Sequence, residues 1–304
     1  MFSEERTITG VIVTYNPEVD IFSQAIKTIS NQLNQLVIMD NNSINILEIE
    51  EIVKNVKNVE LLKLEKNIGL AAAQNVAIKY NKNNYDNNYV IFFDQDSVIS
   101  DSFISELIDA ENKLTLEGEK VAAVGPSFFD PTNSQFYPAT VYSGPFIKRV
   151  PLKEKPVEVT FLIASGCMIR KDTLDFIGYM KEELFIDYID VEWSLRAKYK
   201  GYKVFIIPKA KMAHRIGDKR TSFLGRTISI HSPFRRYYLV RNSFFMIRLS
   251  YIPLGYKLRE ITFNIFRVCI GFFLSKQKMK VLKYTLLAIK DGILGNFGIC
   301  KKIF

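Results

Sequence analysis

The sequence has few of the residues from which many sites are built. Its three cysteines, Cys167, Cys269 and Cys300, lie far apart, so they form neither a disulfide framework nor a Cys-x-x-Cys metal pair. Its two histidines, His214 and His231, are too few for a His-rich metal centre. The first residues lack a basic segment followed by an apolar run, so no secretion signal is visible. We therefore expect a cytoplasmic protein in a reducing compartment.

Acidic side chains are scarce in the last third of the chain. Residues 201–304 carry 21 Lys and Arg side chains but only three acidic ones, whereas the first 200 residues carry 20 basic and 29 acidic ones. The chain of 304 residues is 48% hydrophobic, which excludes a disordered protein. Its basic end predicts a negatively charged partner surface, either anionic lipid or nucleic acid.

Short apolar runs alternate with helical patterns over the first 125 residues. The strand-like runs begin at Gly10, Gln35, Val59, Tyr89 and Val121, and the helical patterns cover about 18–31, 71–80 and 101–115. Strands separated by single helices indicate right-handed crossovers and a mostly parallel α/β sheet. Such sheets bind ligands beyond the carboxyl ends of their strands, so the residues that follow each strand are the candidates for a site.

Polar groups follow three of these predicted strands. They are Tyr15-Asn16, Asp40-Asn41-Asn42-Ser43 and Asp94-Gln95-Asp96. Asn and Asp often form turns after strands, and that interpretation stays open for the group that begins at Asp40. Asp94 and Asp96 differ, because a turn requires only one of the two carboxylates. Two carboxylates beyond a strand end suit a hard divalent cation, Mg²⁺ or Mn²⁺, together with substrate phosphates.

A fourth polar segment, Asn67-Ile68-Gly69, precedes an alanine-rich helical pattern that contains Asn75. Asn67 and Gly69 suit a tight turn at the start of a helix. The amide groups of a helix N-terminus favour anions, so we expect a diphosphate nearby. From these residues alone, a well-capped packing helix is the alternative.

Taken together, these segments resemble family 2 inverting glycosyltransferases with the GT-A fold. The matching segments occur in the family's order: Val13-Thr14-Tyr15-Asn16-Pro17, Asp40-Asn41-x-Ser43, Asn67-x-Gly69 with Asn75, Asp94-Gln95-Asp96, and 185–196 followed by Gly201-Tyr202. The family usually has Glu-Asp-Val-Asp before Leu-x-x-Arg, and here Ile189 replaces the Glu and Glu192 the second Asp. Over about residues 8–245 the chain is most similar to bacterial rhamnosyltransferases that use dTDP-L-rhamnose.

The resemblance implies an inverting sugar transfer with Asp190 as the general base, and Asp187 or Glu192 as the alternatives. It implies Mg²⁺ or Mn²⁺ as the cofactor, with Asp94, Asp96 and His214 as ligands. A nucleotide-sugar donor, dTDP-L-rhamnose, would bind a larger set of residues: Thr14, Tyr15, Asn16, Asp40, Asn41, Asn67, Gly69, Asn75, Asp94, Gln95 and Arg241. A UDP-hexose or UDP-N-acetylhexosamine donor is the nearest alternative.

The resemblance also implies the domain organisation. Residues 1–244 would form the GT-A catalytic domain, with a nucleotide-sugar half at about 1–125 and an acceptor half at about 126–244. The resemblance does not cover the last 60 or so residues. There, apolar runs with Lys and Arg between them predict a basic, amphipathic helical tail, residues 245–304, that lies in the membrane interface or makes an oligomer contact. The apolar stretch 261–274 is interrupted by Asn264 and Arg267, and it is shorter than the roughly 20 residues that a spanning helix needs.

We therefore expect a peripheral enzyme on the cytoplasmic membrane face that extends a lipid-linked saccharide of a bacterial surface polysaccharide. Alternatives for the tail are an ordinary packed helix and a homodimer contact. A non-enzymatic protein that binds anionic lipid or nucleic acid is the remote alternative. The basic end lacks a zinc motif and a recognition helix, so we expect no nucleic-acid partner.

Overall fold

The apolar runs of the sequence form the strands of one central sheet in a computed structural model, which describes residues 7–213, 220–223, 226–229 and 232–302. The strands are β1 (Ile8–Thr14), β2 (Gln35–Asp40), β3 (Val59–Lys63), β4 (Tyr89–Phe93), β5 (Val98–Ile99), β6 (Val121–Phe129), β7 (Ala139–Ser143), β8 (Phe146–Val150), β9 (Val157–Val159), β10 (Cys167–Arg170), β11 (Lys203–Ala213), β12 (Arg220–Phe223) and β13 (Arg226–Ser229). The α-helices are α1 (Val19–Ser30), α2 (Ile46–Val53), α3 (Leu70–Asn84), α4 (Phe103–Leu116), α5 (Lys171–Ile177), α6 (Ile189–Tyr199), α7 (Pro233–Arg248), α8 (Leu254–Leu274) and α9 (Lys278–Leu294).

The central sheet has the strand order β3-β2-β1-β4-β10-β6-β11-β5, and β9 pairs with β11. The four strands β3, β2, β1 and β4 are parallel, which confirms the predicted mostly parallel sheet. β10 runs antiparallel to both β4 and β6, a reversal that periodicity did not predict. The carboxyl ends of β1, β2 and β4 meet at one edge, and the three predicted polar groups follow them there.

Helices cover both faces of the sheet, and β4 shows why. Every residue of β4 is buried. Val90 and Phe92 lie in the same apolar cluster as the alanines of α3, whereas Ile91 and Phe93 lie with Phe22 and its neighbours of α1. Because successive strand side chains point to opposite faces, a continuous apolar run is required when both faces are covered.

The C-terminal helices pack on the rest of the chain rather than forming a separate tail. The predicted boundary between residues 244 and 245 lies inside α7, which is one uninterrupted helix. Tyr237 and Tyr238 of α7 share a buried cluster with Tyr284 and Ala288 of α9. The packed-helix alternative therefore describes α9.

Replacing Gly292 by alanine tests this packing. An added Cβ would lie 2.6 Å from a ring carbon of Phe244 on α7, so overpacking should lower the free energy of unfolding by about 1–3 kcal/mol. In a free, solvated helix the same change would stabilise the protein by about 0.5–1 kcal/mol. Urea unfolding gives the sign, with Lys290→Ala at an exposed position of α9 as the control. A stabilised Gly292→Ala protein would contradict the packing.

Candidate active site at the carboxyl ends of the strands

Hydrogen bonds join the polar groups that follow β1, β2 and β4. Thr14 and Asp40 are partners in the parallel register of β1 and β2, and the Thr14 hydroxyl donates to Asp40 Oδ1 at 2.9 Å. The backbone N–H of Ser43 donates to Asp40 Oδ2, also at 2.9 Å. On the other side, the Tyr15 N–H donates to Gln95 Oε1 at 2.9 Å. The three strand ends therefore form one connected surface.

Several of these predicted donor-binding side chains hold the turns together. Asp40 and Thr14 are 2% and 0% exposed, and each is paired with the neighbouring turn. Asn16 Oδ1 accepts from the N–H of Ile44 at 2.8 Å. The turn interpretation that the sequence left open for Asp40 describes these contacts, whereas Tyr15 is half exposed at the same edge.

Hydrogen bonds within the protein also hold the segment before α3 in place. Asn41 Oδ1 accepts from the Ile68 N–H at 2.9 Å, and Asn41 Nδ2 donates to Asn67 Oδ1 at 3.1 Å. Gly69 has φ of 90°, and a Cβ there would lie 2.5 Å from the Phe185 ring, so glycine is required. The N–H of Leu70 donates to the Phe185 carbonyl at 2.7 Å.

A protein carbonyl therefore already accepts from the first turn of α3, and the expected diphosphate contact there stays a prediction. Asn75, also predicted to bind the donor, has internal partners. This side chain is 4% exposed and exchanges two hydrogen bonds of 3.0 Å with the backbone of Met180. It also donates to Glu182 Oε1 at 2.8 Å. Asn75 thus fastens α3 to the segment that leads into α6.

Asp94 and Asp96 lie on the loop after β4, as predicted, with Asp94 half-buried and Asp96 exposed. The pKa of Asp94 is raised to about 6, first by burial and then by the carboxylates of Asp96 and Asp190, while the Arg235 guanidinium and the Ser165 hydroxyl oppose the rise. The backbone N–H of Asp94 donates to Ser165 Oγ at 3.1 Å. Asp190 therefore lies near enough to Asp94 to affect its pKa, although 96 residues separate the two in sequence.

Asp190 lies in the first turn of α6. Burial raises the pKa of its carboxyl to about 6, although the N–H groups of Val191 and Ala164 stabilise the anion and oppose the shift. The Val191 N–H lies 2.8 Å from Asp190 Oδ1. Asp190 lines a small, mostly apolar cavity, and Phe92 and Trp193 form part of its apolar wall. A carboxyl with a pKa near 6 is poised to exchange a proton near neutral pH.

The two alternative bases are held in ion pairs. Asp187 Oδ1 lies 3.0 Å from Arg235 Nη2, and the buried Glu192 lies 2.9 Å from Arg196 Nε. Among the residues that the structure describes, no cation forms a salt bridge with Asp190. The structure therefore favours Asp190 over both alternatives for proton transfer.

Arg235 is a site residue that the sequence reasoning missed. α7 begins at Pro233, after a Ser232 hydroxyl that accepts from the Arg235 N–H at 3.2 Å. The positive end of a helix dipole disfavours a cation in the first turn, so an arginine there needs a local anion. Asp187 supplies one, and the same guanidinium opposes the raised pKa of Asp94. An arginine at a helix N-terminus was the available signal.

Arg241, predicted to contact the diphosphate, has internal partners. Its side chain is fully buried, and its guanidinium donates to the carbonyls of Glu183 and Leu184 at 3.2 Å each and to that of Gly298. It also lies 4.8 Å from the Tyr238 ring centroid. These contacts join α7 to two other segments, and a contact between Arg241 and the diphosphate stays a prediction.

The metal site is only partly described. His214, the predicted third ligand, lies outside the described residues, as does His231. Within the described ranges, no three His, Cys, Asp or Glu side chains form a group that could hold a metal ion. The chemistry of Asp94 and Asp96 nevertheless fits a hard cation, because both supply carboxylate oxygens on one loop and Asp96 is near enough to raise the pKa of Asp94.

Comparison with known proteins assigns this arrangement to a family. The family model described as "Glycosyl transferase family 2" matches residues 9–178, which include the three strand ends and Asp94-Gln95-Asp96. The chain belongs to glycosyl transferase family 2. It is 37% identical over 299 residues to the dTDP-rhamnosyl transferase RfbF of Shigella flexneri, covering 96% of this chain and 97% of that protein. The similarity therefore extends through Asp190 and the C-terminal helices.

Solved structures show the same fold. GalNAc-T7, crystallised with UDP, GalNAc and Mn²⁺, has a TM-score of 0.56 at 16% identity over 95% of this chain. S. aureus TarS has a TM-score of 0.57 at 18% identity, also over 95% of this chain. The glycosyltransferase described here spans 58% of the first protein and 49% of the second. The mixed α/β sheet is accordingly the GT-A fold, as the sequence predicted.

Proposed function

We propose that this glycosyltransferase moves L-rhamnose from dTDP-L-rhamnose to a hydroxyl of a lipid-linked saccharide in bacterial surface polysaccharide synthesis, with inversion at the anomeric carbon. The observation that supports this reaction is the set of carboxyl side chains at the sheet edge, among which Asp94 and Asp190 each have a pKa of about 6. The near-full-length similarity to a dTDP-rhamnosyl transferase supports the donor.

Asp190 accepts the proton in this proposal. The acceptor oxygen forms a bond to the anomeric carbon while the bond from that carbon to the diphosphate oxygen breaks, and the hydroxyl proton passes to the Asp190 carboxylate. The Val191 N–H, 2.8 Å from Oδ1, fixes the orientation of that carboxylate. The apolar wall that includes Trp193 keeps the carboxyl basic enough for the task.

Asp94 and Asp96 would hold a divalent cation, Mg²⁺ or Mn²⁺, against the donor diphosphate. Such a cation, when bound, neutralises charge on the departing nucleotide diphosphate. The guanidinium of Arg235 is near enough to Asp94 to lower its pKa. Arg235 would therefore add a permanent positive charge beside the same leaving group.

The donor and the metal are tested together by nucleotide release from dTDP-L-rhamnose, UDP-glucose and UDP-galactose. We expect dTDP-L-rhamnose to be consumed fastest, EDTA to abolish transfer, and Mg²⁺ or Mn²⁺ to restore it. Asp96→Ala should remove activity without unfolding the protein, because the side chain is exposed. Asp101→Ala, at another exposed carboxylate seven residues after Asp94, is the control.

Faster consumption of a UDP-sugar would favour the alternative donor. Thymine and uracil differ by one methyl group, and a methyl contact discriminates by only about 1–3 kcal/mol. Full activity in excess chelator would contradict the metal assignment while leaving the donor assignment intact.

The Asp190 assignment predicts a pH profile. A carboxyl must be ionised to accept a proton, so kcat/KM should fall as the pH drops through about 6. Asp190→Asn should lower kcat by roughly 10²–10⁴ with the donor still bound, measured by initial rates and by nucleotide-sugar titration. Asp187→Asn is the comparison, and a larger loss there than in Asp190→Asn would move the role to Asp187.

The C-terminal helices support a membrane contact as part of the proposal. None of the helices in the described ranges is long and apolar enough to span a bilayer. α8 instead exposes an apolar face: Leu254, Leu258, Ile261, Ile265, Phe266 and Phe273. Exposed lysines follow at its end and along α9: Lys276, Lys278, Lys280, Lys283 and Lys290. Apolar side chains flanked by lysines suit an interface with anionic lipid headgroups.

Liposome flotation tests this contact. The protein should float with vesicles that contain anionic lipid, and less so at high salt, because headgroup attraction is screened. Ile265→Glu combined with Phe273→Glu should abolish flotation, whereas Leu116→Glu, on the exposed end of α4, should not. Equal recovery in the unbound fraction under all conditions would reject docking. A dimer that the double variant dissociates would favour the homodimer alternative.

A further inference from the structure

The loop that leads into Asp190 has an uncommon backbone. Phe185, Asp187 and Tyr188 have φ of 63°, 64° and 67°, in the left-handed region that residues other than glycine rarely adopt. Such conformations persist only when the surrounding structure holds them. Tyr188 directly precedes α6, so its conformation sets the direction of that helix and the place of Asp190 in its first turn.

α7 holds the backbone of this loop. Asn242 Nδ2 donates to the carbonyls of Leu184 at 2.8 Å and Ile186 at 2.7 Å. The guanidinium of Arg235 pairs with the side chain of Asp187. These contacts account for the loop up to Asp187, and none of them involves the side chain of Tyr188.

α8 holds the Tyr188 side chain. The hydroxyl of Tyr188 donates to Glu260 Oε2 at 2.5 Å, and Arg267 Nη1 donates to the same hydroxyl at 2.5 Å. Arg267 also pairs with Glu260 at 3.2 Å, and Arg259 Nη1 lies 3.1 Å from Glu260 Oε1. Burial raises the pKa of Tyr188, so the hydroxyl keeps its proton and remains the donor.

The inner and outer faces of α8 differ sharply. Glu260 is 1% exposed and Arg259 is 8% exposed, whereas Ile261 and Ile265 are 45% and 62% exposed. A buried ion pair contributes little net stability compared with apolar side chains of the same volume. A charge-assisted hydrogen bond does, however, hold its donor in one geometry. The contact is therefore better suited to orienting Tyr188 than to stabilising the helix.

We propose that Glu260 of α8 is a positioning residue for the sugar transfer, acting through the Tyr188 hydroxyl to hold the start of α6 so that the Asp190 carboxylate meets the acceptor hydroxyl. The inference rests on the proposed role of Asp190. α8 would then be part of the catalytic arrangement, although it lies outside residues 9–178, which the family model matches.

Tyr188→Phe tests the proposal, because it removes only the hydroxyl and leaves Glu260 paired with both arginines. We expect kcat to fall on the order of tenfold to a hundredfold, the effect of losing one hydrogen bond to a charged group, with the donor KM unchanged. Tyr256→Phe is the matched control and should keep wild-type kcat. Tyr256 is a buried tyrosine of α8, the helix that carries Glu260. Wild-type turnover in Tyr188→Phe, or a loss equal to that of the control, would overturn the proposal.

A double-mutant cycle separates positioning from general damage. If Glu260 acts through the Tyr188 hydroxyl, Glu260→Gln should lower kcat in the wild-type protein but have a smaller effect in the Tyr188→Phe protein. Equal effects in both backgrounds would overturn the coupling. Each variant should have a thermal unfolding midpoint well above the assay temperature. The loss of kcat would then not be due to unfolding.

The same measurements distinguish a failure of this inference from a failure of the proposed function. Active Asp190→Asn protein would remove the base on which the inference rests. Inactive Asp190→Asn together with fully active Tyr188→Phe would leave the proposed function intact and reject only the role of Glu260.

Discussion

The burial of carboxylates at one sheet edge, together with the repulsion between them, is the constraint on which the site depends. Asp94, Asp96 and Asp190 share that edge, and the positive charge described beside them is that of Arg235. With raised pKa values, Asp94 and Asp190 bind more protons in the folded state than in the unfolded state between about pH 4 and pH 6. Stability is therefore lost as the pH rises through that window, and the ionised cluster destabilises the fold at neutral pH. Positive charge brought by a ligand would offset this cost.

The rest of the fold keeps these carboxylates together. β4 is buried on both faces and carries Asp94 at its end, while Asn75 ties α3 to the segment before α6. Arg241 joins the same segment to α7 and to the C-terminal end of the chain. Asn75 and Arg241, which the family resemblance associates with the donor, therefore connect separate segments of the chain by hydrogen bonds. A site that must hold repelling charges requires such cross-links, because the loops alone would relax.

The two C-terminal helices α8 and α9 have different environments. The sequence therefore suggested both a packed helix and a surface for a partner. α9 packs on α7 through Tyr284 and Ala288. α8 turns Glu260 inward to the loop before α6 and turns apolar side chains such as Phe273 outward. One helix thus contacts the catalytic loop on one side and offers a surface for a partner on the other.

Local sequence signals were sufficient for β1 to β4, β6, α1, α3 and α4, for the mostly parallel sheet, and for the position of Asp94-Gln95-Asp96 after β4. These depend on apolar periodicity and on turn chemistry, which act over a few residues. The antiparallel insertion of β10 beside β4, the burial of Arg241, the ion pair of Arg235 and the link from Glu260 to Tyr188 depend on residues 48 to 81 positions apart. Only the tertiary structure decided them, because burial and pairing determine whether a charged side chain meets a ligand, a partner or a backbone carbonyl.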